Sequence, residues 1–177
     1  LELRLASGEM VQISGPNGPD RIARTIYNAA SEVTQVQVAL GTADQVNGET
    51  RTYSMNGQLA TQTDGEGNLT DYSYDGHDRL VTTRFPSKTV KGSVNPADYE
   101  NLTLDANGNV AQRRLRDGLV QNFTYDNLNR NTVIDLPGTD ITDADITNTY
   151  DLLGRTTYTV DANNHFVTSS YDALGRT

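Results

Sequence analysis

The chain has no cysteine, which excludes disulfides and thiolate metal sites but fits a secreted, periplasmic or cytosolic protein equally well. It is short of basic residues, with 14 Lys and Arg against 23 Asp and Glu. The resulting formal charge of −9 opposes nucleic acid and anionic membrane surfaces, which demand clustered cations. Long apolar runs are missing too. Residues 1–26 hold no stretch suited to a signal peptide, and no segment approaches the roughly 20 apolar residues of a membrane span, so no membrane insertion is expected. Leu, Ile, Val and Phe together make up 38 of 177 residues, so any core must be thin. No amphipathic helix can be placed with ease. The best stretch, Ala29 to Leu40, has Val33, Val36 and Leu40 at helical spacing but Val36 and Val38 at strand spacing, and is read as strand.

What is present is 9 tyrosines and 15 glycines among many threonines, a balance suited to strands and tight turns. One short phrase recurs seven times: Tyr, Asp, two free positions, Gly. The copies begin at Tyr27, Tyr53, Tyr74, Leu104, Tyr125, Tyr150 and Tyr171. Their second position is Asn28, Ser54, Asp75, Asp105, Asp126, Asp151 or Asp172, residue types whose side chains accept a backbone bond at the start of a type I turn. The fifth is Gly57, Gly108, Gly154, Gly175, Asp78, Asn129 or Ser31; all but Ser31 readily tolerate the left-handed conformation that closes a three-residue hairpin loop. The phrase therefore predicts a hairpin turn. Tyr72 and Tyr74, and Leu119, Phe123 and Tyr125, fall on one face of the entering strands, while Leu59, Leu80 and Val110 resume the apolar face after the turn.

Gaps between copies are 26, 21, 30, 21, 25 and 21 residues, alternating a short fixed period with a longer variable one. Each 21-residue gap contains another turn signal, at Asp64 to Asn68, Asp117-Gly118 and Asp161 to Asn164, dividing it into two strands. Pro86, Pro96 and Pro137-Gly138 in the longer gaps are expected in loops at an edge. Residues 1–20 depart from the pattern, as a degenerate repeat or inter-repeat loop, and 21–177 form the array. Gly175-Arg176-Thr177 reproduces part of a unit seen intact elsewhere, so the array is expected to continue.

The phrases Tyr150-Asp151-Leu152-Leu153-Gly154-Arg155 and Tyr171-Asp172-Ala173-Leu174-Gly175-Arg176, with Tyr72-Ser73-Tyr74-Asp75 followed by Arg79-Leu80, resemble the signature of YD repeats, also called Rhs repeats. The resemblance implies an all-β fold of tandem hairpins, a curved ribbon or spiral sheet that is part of a larger β-shell. In bacterial Rhs and insecticidal toxin-complex proteins such a shell encloses a C-terminal toxin, while teneurins use it at cell surfaces. The signature residues carried over are Tyr27, Tyr53, Gly57, Tyr74, Asp75, Arg79, Asp105, Gly108, Tyr125, Asp126, Arg130, Tyr150, Asp151, Gly154, Arg155, Tyr171, Asp172, Gly175 and Arg176. The aspartate-dependent self-cleavage segment of bacterial Rhs proteins has no match here, so self-cleavage is not expected of this piece.

Other chemistry is weaker. His77 and His165 sit at separate hairpin tips and do not suggest a catalytic triad. Most carboxylates are already accounted for as turn openers, leaving no evident glycosidase pair. Asp140, Asp143 and Asp145 could offer oxygen ligands to calcium, but they lack the glycine and distal glutamate of an EF-hand and read as a solvated insertion loop. No metal, cofactor or catalytic residue is assigned. Arg79, Arg130, Arg155 and Arg176 recur at a fixed offset and suit stacking on rings of the adjacent unit; the tyrosines read as rungs of the ladder. The expected role is a scaffold whose partners are neighbouring repeats and an enclosed C-terminal toxin, in a secreted or cell-surface bacterial protein. The alternative is a surface module binding carbohydrate or protein. Exposed strand edges predict self-association of the isolated piece.

Overall fold

The computed structural model describes residues 2–4, 10–12, 22–41, 43–137 and 146–177. The chain divides into two compact units, Leu1–Asp98 and Tyr99–Thr177. Each is an antiparallel meander in chain order, and no helix occurs among the described residues. The first unit runs through β1 (Glu2–Arg4), β2 (Met10–Gln12), β3 (Ala23–Tyr27), β4 (Val33–Val38), β5 (Val46–Tyr53), β6 (Leu59–Asp64), β7 (Leu69–Tyr74) and β8 (Leu80–Pro86). The second contains most of β9 (Val94–Leu104), then β10 (Val110–Arg114), β11 (Val120–Tyr125), β12 (Asn131–Asp135), β13 (Ile146–Tyr150), β14 (Thr156–Val160) and β15 (Phe166–Thr168).

A meander follows from turns too short to permit a crossover, since antiparallel neighbours need only a hairpin. It also fixes the edges. Six repeat turns, five led by tyrosine and one by Leu104, join strands from β3–β4 to β13–β14 and leave each unit on one edge, while the β4–β5, β6–β7, β8–β9, β10–β11 and β14–β15 connections leave on the opposite edge. Residues 1–20 lie mostly outside the described residues, but β1 and β2 pair there, and β2 pairs in turn with β3.

Within each unit, and among the described residues, contacts between elements are between strands adjacent in sequence. Among the described residues Thr82 alone is buried, at 9% exposure, and no large side chain is fully enclosed. Within each unit the described residues form a single layer of strands, so its stability comes from the ladders and from side-chain pairs across them. Such pairs are frequent and polar: the hydroxyls of Thr52 and Thr61 are 2.6 Å apart, Gln112 donates to Asn122 at 2.9 Å, and Asn122 donates to Asp135 at 2.9 Å.

Two prolines differ from expectation. Pro86 is the last residue of β8 and Pro96 lies inside β9, so the loop between them is narrower, closed by the Ser87 amide on the Ser93 carbonyl at 2.9 Å. Proline's fixed φ suits extended backbone, and it is admitted wherever the ladder does not call for its missing N–H. Gly138 and the carboxylates Asp140, Asp143 and Asp145 lie outside the described residues.

Candidate functional site: a seam of turns, tyrosines and arginines

Among the described residues ten turns share one geometry. The amide of the first residue donates to the carbonyl four residues on at 2.8–3.1 Å, and the amide of the fourth returns to the first carbonyl at 2.9–3.1 Å. They begin at Asn28, Ser54, Asp64, Asp75, Asp105, Leu115, Asp126, Asp151, Asp161 and Asp172. The fourth residue always has positive φ, whether it is glycine (Gly154, 81°) or not (Ser31, 65°; Asp78, 61°; Asn129, 60°; Asn164, 61°). Ser31, the one residue type poorly suited on sequence grounds, adopts the same conformation, because the bonds on either side of it fix the loop.

The opening side chain secures the turn. Asp75 Oδ1 accepts the amides of His77 at 2.8 Å and Arg79 at 3.0 Å, and the same pair of bonds forms at Asn28, Ser54, Asp105, Asp126, Asp151 and Asp172. The second oxygen, Oδ2, receives Nε of Arg79, Arg130, Arg155 or Arg176 at 2.7 Å. These bonds favour the ionised carboxylate. The Arg79 guanidinium, then the backbone amides, hold Asp75 down to about 2. Asp126 is lowered first by Arg130, whereas Asp151 and Asp172 are lowered first by the amides of Arg155 and Arg176. At Asp105 the Asn109 side chain takes the arginine's place and lowers the carboxyl in the same way.

The tyrosines join one copy to the next. Five of their hydroxyls donate to a backbone carbonyl six positions after the first residue of the preceding copy: Tyr53 to Val33 at 2.7 Å, Tyr74 to Leu59 at 2.9 Å, Tyr125 to Val110 at 3.1 Å, Tyr150 to Asn131 at 2.6 Å and Tyr171 to Thr156 at 2.8 Å. The offset stays the same although the gaps do not. In each case the hairpin register slips just beyond the accepting residue, leaving Thr34, Ala60, Ala111, Thr132 or Thr157 without an opposite number. A bulge interrupts the ladder locally, so the phenol donates where backbone pairing is broken.

Arginines reinforce the same junction in the second unit. The Arg130 guanidinium lies 4.7 Å from the centre of the Tyr150 ring and donates Nη1 to the Asp151 carbonyl at 2.9 Å; Arg155 lies 4.4 Å from Tyr171 and donates to Asp172 at 3.4 Å. Tip-to-tip bonds add to them, Asn56 to Asp78 at 2.9 Å and Asn107 to Asn129 at 3.0 Å.

His165 Nδ1 pairs with Asp161 at 3.2 Å on an exposed turn, and the His77 amide is bound to Asp75 at another. No group of three metal-ligating side chains exists among the described residues, and no helix there is long and apolar enough to cross a membrane.

Residues 53–90, which span the Tyr53 and Tyr74 copies, match the family model described as RHS Repeat. The chain carries an RHS repeat. Around it, 97% of the chain superposes on 9% of a solved TcdB2–TccC3 chain lacking its hypervariable C-terminal region, with a TM-score of 0.70 and 16% identity. The TcdB2–TccC3–Cdc42 structure and a Photorhabdus luminescens Tc holotoxin pore carrying a TccC3 substitution give the same TM-score, identity and coverage. At that identity the likeness is one of fold, an all-β repeat fold, and the chain spans about a tenth of the length of those chains. No curated protein sequence is significantly similar to the chain.

Proposed function

We propose that this chain is a non-catalytic length of wall in a larger β-shell that encloses a C-terminal toxin or other cargo of a secreted bacterial parent protein. The observation that supports it is the constant Tyr-to-carbonyl offset, by which the tyrosine hydroxyls join each repeat to the one before it. Repeats joined only to their neighbours make extended walls, and their stability adds up along the array. The fold likeness to TcdB2–TccC3 and to a Tc holotoxin pore adds to this reading.

A second reading, attachment to a carbohydrate or protein at the cell surface, draws on apolar tips at the tyrosine edge, where Leu128, Leu152, Leu153 and Leu174 are 68% to 100% exposed. Limited proteolysis of the full-length parent, followed by mass spectrometry, separates the two. A C-terminal region protected until the repeats are denatured is expected for the wall. Immediate digestion of that region, with the repeats intact, overturns enclosure in favour of surface binding.

A further inference from the structure

The repeats serve as references for one another. In the Tyr125 and Tyr150 copies the residue five positions after the tyrosine is an arginine, and its guanidinium covers the next tyrosine ring while donating to the next turn's first carbonyl. In the Tyr53 copy that residue is Gln58, which is shorter and uncharged, and its Oε1 accepts the Ser54 hydroxyl at 2.6 Å within its own turn. The next ring is nevertheless placed as its counterparts are, because Tyr74 makes the same hydroxyl bond, to Leu59 at 2.9 Å.

The consequence is a depression of about 460 Å³ bordered by Met55, Gln58, Tyr72, Tyr74, Asp75 and Asp78. Its chemistry suits the group that Gln58 fails to supply. The Tyr74 ring offers a π face, and burial with the neighbouring Tyr72 pushes its hydroxyl above the ordinary value, so the phenol stays neutral. The Asp75 carbonyl, counterpart of the Asp151 carbonyl that takes Arg130, accepts the Asp78 amide at 3.1 Å and has a second lone pair. The Asp78 carboxylate adds negative charge, one of its oxygens accepting Asn56 Nδ2 at 2.9 Å.

We propose that this cleft is a guanidinium site, which takes an arginine side chain from a second polypeptide onto the Tyr74 ring, with the Asp75 carbonyl and Asp78 carboxylate as acceptors. Three features select that occupant. A planar fork can stack and donate at once, which an ammonium cannot do. The volume exceeds a guanidinium alone and leaves room for the aliphatic stem and adjoining peptide against Met55. A chain of net charge −9 attracts a basic segment. The site is independent of whether the parent encloses cargo.

The test is a titration of the 177-residue chain with N-acetyl-arginine amide, following tyrosine ring resonances by NMR, with N-acetyl-lysine amide in parallel. A saturable shift confined to Tyr74 and Tyr72 is expected, with the lysine compound weaker by about tenfold. Gln58→Arg restores the internal guanidinium and should abolish the shift. Asp78→Asn, an exposed change, should weaken binding several-fold and supplies the control if Gln58→Arg does not fold. The site is overturned if no saturable shift occurs, if all tyrosines move together without saturation, or if Gln58→Arg or Asp78→Asn binds as tightly as the parent sequence.

Discussion

The Tyr150 hydroxyl lies 2.6 Å from the carbonyl oxygen of Asn131, nineteen residues earlier in the chain, and just before the slip in the β11–β12 register. One phenol thus ties a bulge in one hairpin to the start of the next turn. Tyr150→Phe keeps the ring under Arg130 but removes the donor, and should cost about 1 kcal/mol, the net worth of an ordinary hydrogen bond. Tyr150→Leu, which also loses the cation–π contact, should cost more. Urea denaturation of the two variants checks both the loss and its order.

Gly154 has φ of +81° and opens toward the Arg130 side chain only at 4.0 Å, so backbone strain rather than crowding governs what it tolerates. Gly154→Val should destabilise by about 1–2 kcal/mol or more, since a β-branched residue resists the left-handed region. Gly76, which lies in the Asp75 turn without positive φ and with nothing within 4 Å of a built Cβ, is the contrast: Gly76→Ala should leave the melting temperature nearly unchanged. An unchanged melting temperature for Gly154→Val would refute the turn assignment.

Acid should loosen the turns in a defined window. Asp75 titrates at about 2 in the fold against an ordinary 3.8, and Asp126, Asp151 and Asp172 are lowered as well. A folded value below the unfolded one stabilises at pH above the unfolded value, and the contribution is lost as pH falls through the folded value. Melting temperature should therefore be level near neutrality and decline from about pH 4 toward pH 2. Asp75→Asn should flatten part of that decline, which a pH series of thermal melts would show.

The last strand, β15, is exposed throughout, with Phe166 at 65% and Val167 at 67%. An open apolar strand edge recruits other strands. The 177-residue polypeptide should self-associate as its concentration rises, and Val167→Lys should reduce this. Sedimentation velocity across a dilution series provides the measure, and a strictly monomeric species at high concentration would count against edge pairing.

Much of this fold can be read from turn chemistry. Asp, Asn or Ser at one position and a residue tolerant of positive φ three places later define six of the seven repeat turns, and alternation in Leu69–Tyr74 defines a strand. The Leu115 turn is harder to read, since its first residue cannot cap; there Asp117 accepts the Leu119 amide instead. At the junctions between copies the stacking of Arg130 and Arg155 on the next tyrosine ring is legible, but the carbonyl that each tyrosine hydroxyl meets is not. A tyrosine hydroxyl that seeks a backbone carbonyl is indifferent to the side chain there, and the five acceptors belong to Val33, Leu59, Val110, Asn131 and Thr156. The cleft beside Gln58 is legible only once Arg130 and Arg155 show what that position does elsewhere.

Because each tyrosine measures its position from the preceding turn and not from the intervening chain, the two edges of a unit obey different rules. The tyrosine edge is indexed, while connections such as the Ser87–Ser93 loop on the other edge can lengthen without disturbing the count. New sequence, whether arising by insertion over evolutionary time or grafted by design, can accumulate along that second margin while the spacing of the scaffold stays the same.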